Sequence, residues 1–444
     1  MSYTEWGFKK NPFETNALPA NEEGDQLLVG RNEAIKKLRR RLDNAVKIPT
    51  IEGLNGVGKT SLINVMIYRA FRETARTNTG PLYIPCRQVF QLDKDQEPKL
   101  FRQKVLMEVA QTLIDKHSEL RAPSGHTRAS AKTSLDRFLN SAQVKSFSAG
   151  LVGANAGYNA ETNTGSGYSE SGFEKAIEDW LIEVFPSTTS GGVVCIIDNL
   201  ELLQTSQNAR NTIENLRDTL FSIRGIKWVL CGALGIVHGI ASSPRLDGRL
   251  QKPIIIEDLS EEFASEVFRN RVKAFRTNHH ARLPITESNF VELFDIMRGN
   301  IRSVLSECDE FCVWVSDIVD DREDFHPELF EEWLEQELES AYNAVRSELR
   351  PRALEVFETA CQFEVFSPSD CEAFGYSTPM AMRPQIKFLE EVGLLVSSMD
   401  ETDKRRKTIQ VTSKGWKVRA FLDFFDDSDE VLPPNGGYEE EEED

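Results

Sequence analysis

Ile51-Glu52-Gly53-Leu54-Asn55-Gly56-Val57-Gly58-Lys59-Thr60-Ser61 decides the fold. From Gly53 to Thr60 the residues fit the pattern G-x-x-x-x-G-K-[ST]. A short apolar segment, Ile48 to Ile51, precedes it and has the character of a strand. Leu62, Val65, Met66 and Ala70 follow at helical spacing. A bare glycine turn before a helix is the alternative. Strand, glycine loop and helix in that order favour a phosphate site. Glycines let backbone N–H groups point inward at an anion, and the new helix turns its positive end the same way. Lys59 then reaches the outer phosphates, and the Thr60 hydroxyl ligates magnesium. The binding set is Gly53, Asn55, Gly56, Val57, Gly58, Lys59, Thr60 and Ser61.

A metal held by one hydroxyl needs a carboxylate nearby. Gly191-Gly192-Val193-Val194-Cys195-Ile196-Ile197-Asp198-Asn199-Leu200-Glu201 supplies one. Val193 to Ile197 is a continuous apolar run, as a central parallel strand requires. Asp198 ends it, where the strand's C-terminal edge faces a ligand. Thr60 and Asp198 are the metal pair. Asp198 as a mere strand cap is the alternative.

Phosphate loop and metal aspartate together resemble the AAA+ class of ATPases, closest to the replication-initiator (origin-recognition) group and the related STAND signalling NTPases. Residues 7–18 and 27–42 look like the segment leading into such domains and packing on adenine. The resemblance makes Phe13, Leu28, Val29 and Arg31 base-side candidates. Residues 227–236 look like the first-sensor strand. Residues 243–272 look like the arginine-finger region running into a lid, with Arg249 preferred over Arg245 as a finger reaching a neighbouring subunit. Residues 298–311 look like the second-sensor helix, with Arg302 in the sensor position. Arg31 equally suits a structural salt bridge, Arg302 a surface position, and Arg245 and Arg249 plain solvation. The implied fold is an α/β P-loop NTPase, an AAA+-like parallel sheet sandwiched by helices, with a helical lid and a C-terminal winged helix-turn-helix. The implied cofactors are ATP and Mg²⁺.

Two departures stand out. The residue after the metal aspartate is usually Glu in this class; here it is Asn199, which orients water but takes no proton. Glu201 is the nearest carboxylate. The first-sensor position offers Cys231 or Gly232 instead of a polar amide or hydroxyl. Loss of a general base typically slows a reaction roughly 10²- to 10⁴-fold. The catalytic set is therefore Lys59, Asp198, Asn199, Glu201, Arg249 and Arg302, with slow hydrolysis expected.

The expected division is an ATPase core over 1–258 with an insertion at about 99–172, a lid over 259–318, a connector over 319–349, a winged helix over 350–425 and an acidic tail over 426–444. The insertion contains helical patterns at 99–116 and 132–142 and a Gly/Ser/Asn-rich stretch at 144–172. That stretch suits a surface loop; replication-initiator relatives use an insertion here on DNA or partners, yet it lacks basic residues. In the C-terminal part, Ser367-Pro368-Ser369-Asp370 is a helix start and Gly375 a stop. Residues 345–425 hold 12 basic and 12 acidic side chains. Only Lys404-Arg405-Arg406-Lys407, at the tip of the wing, forms a basic cluster. DNA contact through it would be with the phosphate backbone rather than sequence-specific. A protein-binding or regulatory winged helix is the other reading.

Of the −19 formal charge, ten negatives lie between Asp426 and Asp444, leaving −9 for residues 1–425. No domain-wide basic field advertises nucleic acid. None of the seven cysteines forms a CxxC pair, and Cys308 and Cys312 fall in an apolar helical pattern; reduced thiols in a cytoplasmic protein are expected. Residues 228–244 are uncharged but too short and glycine-broken for a membrane span. No apolar run opens the chain, and the six histidines form no ligand-spaced set. The leading function is an ATP-dependent switch, homo-oligomeric, engaging DNA or a protein partner, with no membrane. A DNA-binding regulator or initiator with structural ATP and a defence or signalling scaffold recruiting a separate effector are the alternatives.

Overall fold

The computed structural model describes residues 2–43, 47–77, 79–93, 97–117, 170–203, 206–234, 237, 240, 244–246, 248–319, 325–400 and 406–425. The expected helix at 132–142, most of the 144–172 stretch, Lys404, Arg405 and the acidic tail lie outside them.

After helices α1 (Glu22–Leu27) and α2 (Asn32–Leu42), strand β1 (Thr50–Gly53) runs into the glycine loop and α3 (Lys59–Thr77). Then come β2 (Leu82–Pro85), α4 (Pro98–Asp115), α5 (Glu170–Val184), β3 (Gly191–Ile197), α6 (Ser206–Thr219), β4 (Ile226–Gly232) and β5 (Ile254–Ile256). These strands form one parallel sheet in the order β2-β3-β4-β1-β5. Side chains alternate across a strand, so β3 feeds both faces. Val193, Cys195 and Ile197 pack under α4, α5 and α6, while Val194 and Ile196 pack under α2 and α3. Every residue of β3 is buried, which explains its unbroken apolar run. This is the α/β architecture the sequence implies, a P-loop NTPase core with helices on both faces of a parallel sheet.

A second core begins at the sheet's exit. Helices α7 (Ala264–Phe275), α8 (Glu287–Ile296) and α9 (Ile301–Ile318) bury Val267, Phe268, Phe290, Phe294, Cys308 and Phe311. Thr286 caps α8 with a reciprocal capping box, and Asn300 caps α9 by accepting from the Ser303 amide at 3.3 Å. The same core takes in Trp6, Phe8 and Phe13 from the N-terminal segment and continues into α10 (Glu328–Arg346).

The C-terminal unit follows as α11 (Pro351–Phe363), β6 (Val365–Phe366), α12 (Pro379–Glu391), β7 (Leu395–Asp400), β8 (Arg406–Val411) and α13 (Ser413–Phe425). Its strands form a three-stranded antiparallel sheet, β6-β8-β7. The helix start at Ser367 and the stop at Gly375 fall where expected, but the element between, Pro368–Phe374, is 3-10 rather than α. A left-handed glycine (φ 73°) closes the element after seven residues, a length at which 3-10 turns are common. No described helix is long and apolar enough to cross a membrane, and the described cysteines are free thiols.

Candidate functional site: the cleft around the glycine loop

Because the sheet is parallel, β1 and β3 present their C-terminal ends on one edge. The glycine loop leaves that edge from β1 and Asp198 leaves it from β3, with β4 between them. Residues 138 apart in sequence thereby meet: the Thr60 hydroxyl donates to the Asp198 carboxylate. Asp198 is buried, and its other oxygen accepts from the Asn199 amide at 2.9 Å. Hydroxyl and carboxylate side by side at the head of α3 form the oxygen donor pair a small divalent cation takes. The donor set fits magnesium: Thr60 and Asp198 would hold it, and it would supply positive charge against a bound phosphate.

The loop has the backbone geometry an anion needs. Gly56 and Gly58 both hold left-handed φ, 91° and 89°, which side-chain-bearing residues rarely adopt. A β-carbon on Gly58 would meet no atom within 4 Å; it would stand in the open hollow of the loop. One on Gly56 would lie 2.3 Å from the Asn300 Oδ1, so this glycine is there for close approach of the lid. Lys59 is buried and folds over its own loop, donating to the carbonyls of Gly53 at 3.0 Å and Leu54 at 2.9 Å. With three N–H donors, it keeps a third for an anion.

Helix α9 meets this loop at its N-terminal end. Asn300 Nδ2 donates to the Asn55 carbonyl at 2.8 Å, and the Arg302 amide to that of Gly56 at 3.3 Å. The Arg302 side chain is exposed at the cleft and makes no ion pair or side-chain hydrogen bond among the described residues. Arg31 Nη2 donates to the Val57 carbonyl at 3.0 Å, so it braces the loop from outside. Asp258, between Arg31 and Asn300, is pushed up to about 6, chiefly by burial and next by the nearby Glu364 of the C-terminal unit; Arg31 and Asn300 pull the other way.

The other end of the cleft is apolar, lined by Leu27, Leu28, Val29, Leu259, Val267 and Leu305. A strap of chain, Thr15 to Leu18, the end of the 7–18 segment that the resemblance places beside a base, also lines it. Leu18 donates its amide to Ser61 Oγ at 3.0 Å and accepts from Asn64 Nδ2 at 2.9 Å. Ser61 therefore ties down the strap. Leu28, Val29 and Arg31 line the cleft as expected. Phe13 does not: it is fully buried in the lid core, stacked on Phe268 with ring centroids 6.3 Å apart. An aromatic with no polar atom gains more from that core than from a half-open wall.

Of four further candidates, Asn199 lies at the cleft and Glu201, Cys231 and Arg249 do not line it. Asn199 lines the cleft with a left-handed backbone, φ 55°. Asn tolerates that conformation far better than longer side chains do, a structural reason for its place there. Glu201 turns away and accepts from the Ala233 amide at 2.9 Å. Cys231 is fully buried against Asp198, its thiol pushed well up by burial first and that carboxylate second. Arg249 sits at the opposite, N-terminal end of the sheet, where Ile48 donates to its carbonyl at 2.7 Å. Arg271 also lines the cleft, and Asn300 and Asn64 bond the backbone of residues that line it; none of the three was singled out from sequence, since each acts through contacts with distant segments.

No protein-family model matches the chain, and no curated protein matches it. Among solved structures, it is similar to the Aeropyrum pernix ORC2 protein in its ADPNP–ADP complexes, at 12% identity over 95% of this chain and 100% of that one, TM-score 0.47. It is also similar to the Walker-type ATPase of Pyrococcus abyssi, at 13% identity over 92% and 99%, TM-score 0.44. A third is the Aeropyrum pernix ORC1 protein in complex with DNA, at 13% identity over 94% and 97%, TM-score 0.43.

Proposed function

We propose that the chain is a magnesium- and ATP-dependent switch with slow hydrolysis, whose nucleotide state sets its assembly and its engagement of DNA or a protein partner. One observation carries the reading: the first turn of α9 touches two things at once. On one side Asn300 and Arg302 bond the glycine loop. On the other, Ser303 Oγ lies 2.7 Å from Ser413 Oγ at the head of α13. One turn further along the helix, Glu307 pairs with Lys417 at 2.8 Å. A phosphate gripped by Lys59 and Arg302 therefore bears on the helix that holds the C-terminal unit, read here as a winged helix. A ligand moves such an equilibrium only through unequal affinity for the two arrangements, and Arg302 is the group placed to differ between them.

Slow turnover follows from the proton inventory. Asn199 accepts no proton, and Glu201 is committed to the Ala233 amide. Thr60 and Asp198 would hold the magnesium. Arg249, remote from its own cleft, would act on the γ-phosphate of a neighbouring copy. The test is light scattering after gel filtration, with magnesium and a slowly hydrolysed ATP analogue. The wild-type chain is expected to change mass or hydrodynamic radius on adding the analogue, and Lys59→Ala to show no change. A wild-type profile that ignores the analogue while binding it removes the switch.

A further inference from the structure

Arg271, on α7, is the one described arginine of the cleft that is almost wholly buried, at 6% exposure. Its Nη1 donates to the Pro12 carbonyl at 2.7 Å and, more weakly, to that of Glu14 at 3.3 Å. Its Nε is buried without any partner, and no carboxylate pairs with it among the described residues. Burial first, against the mild pull of Cys308, Glu14 and Glu23, pushes the guanidinium down to about 10, so it stays charged at neutral pH. A buried donor left unsatisfied is costly, more so when charged, and a stable fold leaves few. The neighbours that share this end of the cleft, Leu27, Val29, Leu259, Val267 and Leu305, offer no acceptor side chain.

We infer that Arg271 is a base-reading residue, its Nη2, which makes no hydrogen bond among the described residues, donating to a ring-nitrogen acceptor of the purine held at the apolar end of the cleft. This rests on the cleft being a nucleotide site. Three features place the acceptor on the base rather than on the phosphates. The phosphate end already has its own cations in Lys59 and Arg302. The strap that Arg271 pins at Pro12 and Glu14 continues into the cleft lining at Thr15–Leu18. The apolar residues around it suit a ring's faces, while a guanidinium, which only donates, suits a ring's acceptor edge. Arg271 also holds the strap in place, so a simple loss of affinity on mutation would not separate reading from support.

The experiment is calorimetry in magnesium with four nucleotides and one control: ATP, its 1-deaza, 3-deaza and 7-deaza analogues, and inorganic tripolyphosphate. Removing one charge-assisted hydrogen bond costs about 1.5–3 kcal/mol, tenfold or more in affinity. One deaza analogue is expected to bind the wild-type chain at least about tenfold more weakly than ATP. In Arg271→Met that gap is expected to close to within about twofold, with tripolyphosphate binding unchanged. Arg271→Lys, which keeps the charge but loses the planar fork, is expected to narrow the gap, and it serves if the Met variant does not fold. Three deaza analogues that all match ATP on the wild-type chain overturn the inference. So does a gap that survives undiminished in either variant. Absence of heat from ATP and tripolyphosphate alike overturns the nucleotide reading itself, a different and recognisable failure.

Discussion

The two ends of the cleft are built in opposite ways. The loop end, read here as the phosphate end, is mostly local: one stretch, Gly53 to Ser61, makes the loop, the lysine and the hydroxyl, and Asp198, Asn199 and Arg302 come from afar. The apolar end, read here as the base end, is assembled from four separate segments: residues 15–18, residues 27–29, residues 259–271, and Leu305 on α9. Chemistry explains the difference. A phosphate is gripped by backbone amides, whose geometry a few glycines fix. A base is enclosed by side chains and backbone from whatever elements happen to surround it. The phosphate end is thus a motif, and the base end a product of tertiary packing.

That contrast can be broken most sharply with Lys59→Ala. It should weaken ATP and tripolyphosphate by the same factor, about 100-fold, since it removes a buried charge-assisted contact common to both (about 3 kcal/mol). Calorimetry that shows ATP spared would mean the base end carries most of the affinity.

The seam between the ends is Asp258, and its effect is on stability. Its folded carboxyl titrates near 6, above the ordinary 3.8. A raised acid contributes stability in full below pH ~4, and that contribution is lost as pH climbs through ~6. The groups acting on it are Glu364, Arg31 and Asn300. Asp258→Asn should therefore be more stable than wild type at pH 8, by about 1–2 kcal/mol after discounting for partial exposure, and by much less at pH 4. Urea unfolding at both pH values measures it; a variant no more stable at pH 8 shows that Arg31 offsets the burial in full.

The smallest expected effect is at the strap. Ser61→Ala removes one neutral hydrogen bond from Leu18, worth about 0.5–1.5 kcal/mol. ATP affinity should drop about threefold while tripolyphosphate affinity stays put. Equal losses for the two ligands would make Ser61 part of the phosphate end after all.

What could be read from sequence follows the same line. The parallel sheet, the loop and the Thr60–Asp198 pair were legible, because glycine spacing and an apolar run ending in Asp leave few alternatives. The helical character expected of 259–318 is there in α7, α8 and α9. Phe13 was misplaced: an aromatic beside a binding segment looks the same in sequence whether it faces a ligand or a core. Glu201 looked like a free carboxylate because nothing local announces its bond to Ala233, 32 residues on. Arg271 was invisible as a site residue, since it belongs to an amphipathic helix where Arg normally faces solvent. The 3-10 element at Pro368–Phe374 carried correct start and stop signals, but those signals do not specify helix type.

One feature of the packing has a mechanical consequence. The hydrophobic interior of the lid continues without a break through α10 into the C-terminal unit, whereas the two interiors flanking the parallel sheet are separate from it. Residues 260–319, 325–400 and 406–425, with the aromatic N-terminal segment packed against them, thus share one interior, joined to the sheet side through residues 30–34 and 257–260. A shift of α9 at the glycine loop is therefore shared with the C-terminal unit through that interior.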